Sequence, residues 1–134
     1  MPLLIPNNGE GDMADAFVAK TAATALILRL YTNNITPSET DTAATYTETT
    51  FTGYSAITLT GASWTTTEGA PTQTAYAQQT FTSSAGSQSV SVYGLFMTRT
   101  TSGRIALAER FTDGPYSIVN NGDQIRITPQ ITFD

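Results

Sequence analysis

Carboxylates are the only side chains here whose type and spacing invite catalysis. The chain holds no His and no Cys, and Lys20 is its single Lys. Imidazole-assisted nucleophiles, thiolate chemistry and His or Cys metal ligation are therefore excluded. Glu109 and Asp113 form the best sequence-local acid pair for glycoside hydrolysis, a reaction that needs two carboxyl groups about 5–10 Å apart in a cleft. Glu109 stands beside Arg110, however, and a surface ion pair at a strand end is the simpler explanation. The run Asn7-Asn8-Gly9-Glu10-Gly11-Asp12 offers oxygen ligands around a glycine turn, the raw material of a calcium loop. It lacks alternating acids and a distal bidentate Glu, so a turn leading into a capped helix accounts for it better. Glu39-Thr40-Asp41 reads as a solvated loop, and no glycine pattern opens a helix as a phosphate loop requires. No enzymatic activity, no metal and no cofactor are expected.

The elements that would position these groups read as sheet. Charged residues make up only 13% of the 134 residues, against about 25% in an ordinary domain. Thr fills much of the gap, at roughly a fifth of the chain, and its β-branched side chain suits a pleated surface. Strands are expected over 25–31, 55–60, 63–67, 74–82, 89–98, 104–110, 116–119 and 124–133, with turn residues separating nearly all of them. Thr101-Ser102-Gly103 predicts a hairpin, and Asn121-Gly122 predicts a type I′ turn. Pro129 places the last run at an edge or bulge. The polar stretch 32–47 is long for a loop, which makes it either functional or ordered against a neighbour. One short helix is expected over 13–23, with Asp12 as its N-cap and Asp15 in its first turn. The resulting expectation is an all-β protein: a single antiparallel β-sandwich, jelly-roll-like, over residues 12–134, preceded by an extended arm over residues 1–11.

Composition narrows the partners. A net charge of −5 with only six basic residues argues against nucleic acid and against an anionic membrane surface. No window approaches the ~20 apolar residues of a membrane span. The apolar opening is too short and too proline-rich for a signal peptide, so synthesis in a cytoplasm is expected. Without Cys no disulfide is available, and stability must come from core packing or oligomerisation.

Several stretches carry a resemblance. Met-Pro-Leu-Leu-Ile-Pro-Asn at 1–7, Leu-Arg-Leu-Tyr-Thr-Asn-Asn-Ile-Thr-Pro at 28–37 and Phe-Thr-Gly-Tyr at 51–54 are similar to a family of small phage and prophage virion proteins. Thr-Ser-Gly-Arg-Ile-Ala-Leu-Ala-Glu-Arg-Phe at 101–111 and Val-Asn-Asn-Gly-Asp-Gln-Ile-Arg-Ile-Thr-Pro-Gln-Ile at 119–131 fit it too. The resemblance implies a structural role in the virion, such as a capsid decoration (cement) protein. Its partners would be the major capsid protein or other virion subunits, and a homo-oligomer, with a trimer favoured, is expected. The alternative is an adhesive or carbohydrate-binding module of a tail or fibre. For that, Trp64, Tyr46, Tyr54, Tyr76, Tyr93 and Tyr116 would have to form a stacking face, whereas aromatics at alternating strand positions usually pack in cores or interfaces.

The candidate site residues for docking are Pro2, Leu3, Leu4, Ile5 and Pro6. Two prolines bias the backbone to an extended form and remove amide donors. Three consecutive large apolar residues are costly to leave in water, at about 1.5–3 kcal/mol each. Either a neighbouring subunit covers them, or the arm folds back as an edge strand over its own sheet.

Overall fold

The computed structural model describes residues 3–133. One helix, α1 (Asn7–Phe17), precedes eleven strands: β1 (Leu26–Tyr31), β2 (Ile57–Leu59), β3 (Thr65–Thr67), β4 (Thr72–Ala75), β5 (Gln79–Thr82), β6 (Val90–Val92), β7 (Gly94–Arg99), β8 (Ile105–Arg110), β9 (Tyr116–Ile118), β10 (Gln124–Ile127) and β11 (Gln130–Phe133). The protein is thus mostly β, with several antiparallel sheets and one α-helix. The largest sheet has the order β2-β1-β7-β8; the others are β11-β4-β3, β10-β5 and β6-β9.

Leu26, Leu28 and Leu30 point to one face of β1, and that face builds the main core. Leu95 and Met97 from β7 and Leu107 from β8 join them there. Opposite them lie Phe81 of β5, Val92 of β6, Ile118 of β9, and Ile125 and Ile127 of β10. The other face of the sheet is also buried. Tyr46, from the excursion between β1 and β2, stacks on Phe96 at 5.1 Å and meets Tyr31 edge-on at 5.0 Å. Of the two expectations for residues 32–47, functional or ordered against a neighbour, the second describes what is seen: main-chain bonds from Thr32 N–H to the Thr47 carbonyl (2.8 Å) and from Thr49 N–H to the Leu30 carbonyl (3.0 Å) hold the excursion on the sheet. A polar network fastens it further: Arg29 bonds the Glu48 carboxylate at 2.6 Å, and the Tyr54 hydroxyl donates to the same carboxylate at 2.7 Å.

Three expected strands each divide in two, because the chain passes from one sheet to another part-way along. The run 74–82 becomes β4, paired with β11, and β5, paired with β10. Pro129 has no N–H to give the ladder, so pairing of the run 124–133 breaks there, while Tyr76 N–H reaches the Pro129 carbonyl at 2.9 Å. At Tyr93 the run 89–98 bends. Tyr93 N–H bonds the Tyr31 carbonyl and Phe111 N–H bonds the Tyr93 carbonyl, both at 2.9 Å. One expected hairpin forms: β7 pairs with β8 across Thr101–Gly103.

Asn121-Gly122 does not join a hairpin, since β9 pairs with β6 and β10 with β5. Gly122 has φ +90° but Asn121 is not among the positive-φ residues, so the turn is not type I′. Gly122 still requires a conformation that β-branched residues resist. Gly122→Val is therefore expected to lower stability by about 1–3 kcal/mol. Open space surrounds the position, with no atom within 4 Å of an added Cβ, so an unchanged denaturation midpoint would remove backbone strain as an explanation.

The helix begins earlier than expected. It spans Asn7–Phe17, not 13–23, with Pro6 in the cap position; Asp12 is inside it and caps nothing. Gly9, a poor helix former, is there for close packing: a Cβ on it would lie 2.2 Å from the Ala106 carbonyl oxygen of β8. Docking on β8 thus overrides local propensity, and the extended segment ends at Pro6 instead of residue 11.

Candidate functional site

β8 is the outer strand of its sheet, so its free edge offers backbone groups for pairing. Leu4 takes them. Its N–H donates to the Ala108 carbonyl at 2.7 Å and its carbonyl accepts from Ala108 N–H at 2.9 Å. Leu3 and Ile5 pack on the main core, and Pro6 is fully buried. The Pro6 carbonyl then accepts from Gly9 and Glu10, which starts α1. Among the expected docking residues, Leu3, Leu4, Ile5 and Pro6 therefore lie against their own subunit; Pro2 falls outside the described residues. The fold-back arises because an open edge and an exposed apolar segment satisfy one another locally.

Glu109 sits opposite Leu95 across the β7–β8 ladder and shares its face. It lines a cleft of about 500 Å³ with Leu3, Met97, Ile127 and Gln130. Burial raises its pKa above the usual carboxylate value. The expected ion pair with Arg110 is not formed among the described residues, because adjacent strand residues point to opposite faces. Arg110 instead bonds the Ile35 carbonyl and Asn34 Oδ1, each at 2.7 Å, and lies over Tyr93. Asp113 accepts a short bond from the Tyr116 hydroxyl. Nothing else lining the Glu109 cleft among the described residues is ionisable, so the second carboxylate of a glycosidase pair is missing from it.

Other acids are engaged in the fold. Asp41 accepts from Ser38 N–H at 2.9 Å and from the Tyr46 hydroxyl at 2.7 Å. Asp12 pairs with Arg104 at 3.1 Å and faces Arg99 at 4.0 Å, which ties α1 to the β7–β8 hairpin. Sequence spacing gave no signal for this contact, which joins residues far apart in the chain. No group of three or more acids among the described residues is placed to hold a metal ion.

The end of α1 is different in character. Phe17 is 90% exposed and Val18 67%. One turn back along the helix, Met13 joins Leu26, Arg99, Ala106, Leu107, Ile131 and Phe133 around a mostly apolar pit of about 190 Å³. No family model, no curated protein and no solved structure matches the chain. Its surfaces must therefore be read on their own chemistry. The aromatics weighed as a glycan face are dispersed: Trp64 packs on Tyr76, Tyr54 on Phe51 and Phe81, Tyr116 on Phe111, and Tyr46 is buried. The exposed apolar tip of α1 is the feature best suited to recognition, and what it can do is bury itself against another macromolecule.

Proposed function

We propose that the protein is a non-enzymatic structural component of a phage virion, a decoration (cement) protein seated on the head lattice. In this reading the antiparallel sheets are the layers of one jelly-roll-like sandwich. The partners are the major capsid protein and further copies of the chain, and neither nucleic acid nor membrane is bound. The sequence resemblance supplies the virion context. The observation that carries the reading is the exposed apolar tip at Phe17 and Val18, because a chain this poor in charge gains most from such a surface when an assembly covers it.

A reconstruction of particles from cells carrying the gene tests the proposal. Density for this subunit is expected on the outer face of the head, and heads lacking it are expected to release their contents at lower temperature. Density confined to a tail or fibre, or particles that lack the chain altogether, would overturn it.

A further inference from the structure

Glu109 is the one charged side chain among the described residues that line the cleft of about 500 Å³ beside β8. That volume lies within the about 300–1,000 Å³ of ordinary small-ligand clefts. Glu109 makes no hydrogen bond or ion pair with another described residue. The walls are aliphatic: Leu3 ahead of α1, Leu95 and Met97 of β7, and Ile127 of β10. The same lining includes Thr128 and Gln130, whose hydroxyl and amide enter no side-chain hydrogen bond among the described residues. None of these neighbours titrates. The α-ammonium of the chain pulls the Glu109 pKa down, but burial outweighs that pull. The carboxylate is therefore left short of positive charge.

From this geometry we infer that the cleft receives an arginine side chain of a partner protein, its guanidinium on Glu109 and its aliphatic stem along Leu3, Met97 and Ile127. Charge complementarity selects the class of occupant, because a partly buried carboxylate is stabilised by a cation that follows it out of water. The walls select a side chain with an apolar stem. The uncharged polar groups select arginine over lysine. A guanidinium offers five N–H donors in a plane; two can grip the carboxylate, and others remain for the Thr128 hydroxyl and the Gln130 amide oxygen. A compact, strongly hydrated ammonium gains less in such a place. The net charge of −5 favours the approach of a basic surface. The virion reading rests on the tip of α1, so the two stand or fall separately.

Nuclear magnetic resonance of the full chain, labelled with carbon-13 at its methionine methyl groups, tests the site. Met97 lines this cleft and Met13 lines the pit near α1, so one reports binding and the other serves as a reference. Titration with acetyl-Gly-Arg-Gly-amide is expected to move the Met97 signal and leave Met13 in place, with a Kd of about 1 mM. The same peptide with citrulline for arginine keeps the shape and loses the charge, and is expected to bind at least about 10-fold more weakly. Glu109→Gln is nearly the same size and is expected to weaken the arginine peptide by a similar factor, at least about 10-fold. Affinity for the natural chain is expected to fall as acid protonates Glu109, and to begin falling at a higher pH than an ordinary carboxylate would set. A Met97 signal unmoved by the peptide, or moved equally by the citrulline peptide or in Glu109→Gln, would overturn the inference. Tighter binding of spermidine than of the arginine peptide would overturn it in favour of a free polyamine. Binding that emerges only after the α-amine is acetylated would assign Glu109 to the chain's own ammonium and overturn it too.

Discussion

Raising the pH from 10 towards 12 is expected to unfold the protein in one cooperative step. Three tyrosines in the sheet and its covering loop hold their protons more tightly than free tyrosine does. Burial pushes the Tyr31 hydroxyl from 10.0 up to about 12. Burial also raises Tyr46, aided by its hydrogen bond to Asp41, and raises Tyr54, aided by its bond to Glu48. Each group is neutral in the folded protein at a pH where its unfolded counterpart ionises. The stability they contribute is therefore complete below pH 10 and is lost as pH climbs through the folded values. Each withdraws about 1.4 kcal/mol per pH unit in that window, so the three together remove about 4 kcal/mol per unit. Total stabilities of about 5–15 kcal/mol cannot withstand much of this. Tyrosinate absorbance and far-ultraviolet circular dichroism, followed together against pH, are expected to change in the same step. Ionisation of these three tyrosines with the others, on an intact fold near pH 10, would show that burial does not hold them neutral.

Gly94→Val is expected to be the most damaging single substitution in the sheet. Gly94 stands where β7 pairs with both β1 and β8, opposite Tyr31 and Arg110. An added Cβ would lie 2.2 Å from the Glu109 carbonyl oxygen and 2.5 Å from the Tyr31 hydroxyl oxygen. Neither neighbour has room to yield. The carbonyl belongs to a ladder strand, and the Tyr31 ring is fully buried against Tyr46. Overpacking a core usually costs about 1–3 kcal/mol, and here the obstacle is backbone, so a loss above about 3 kcal/mol is expected. Gly61→Val is the matched control, because nothing lies within 4 Å of its added Cβ, and a change within about 0.5 kcal/mol is expected there. Denaturant titration of both variants checks the pair; equal losses would mean that steric exclusion at Gly94 is not the cause.

What was legible in the residues was whatever depends on near neighbours. The apolar run 25–31 marked the strand that becomes β1, and Thr101–Gly103 marked the hairpin beside it. The misplaced features depend on distant partners. Gly9 looks like a turn residue until Ala106 is known to lie beneath it. Asp12 looks like a cap until Arg104 reaches it. Continuous runs such as 89–98 gave no sign that the chain would bend at Tyr93 and change sheets. At the candidate site, Leu3 to Pro6 were recognised as apolar residues in need of cover, but what covers them is β8 of the same chain. The neighbouring pair Glu109 and Arg110 misled for a simple reason: one-residue separation in a strand sends side chains apart. Phe17 lies within the helix expected over 13–23, but sequence alone cannot tell which flank of an amphipathic segment stays uncovered.

The seating of Leu4 on Ala108 bears on how the sheet avoids pairing with other chains. Sheet proteins fuse rim to rim when a long, flat strand is left open, and such fusion propagates into fibres. Here one rim of the four-stranded sheet is occupied at its middle by Leu4, and the opposite rim is β2, only three residues long. Neither offers a template of useful length to a foreign strand. The four-stranded sheet is therefore guarded at both rims against strand-by-strand growth into a fibre.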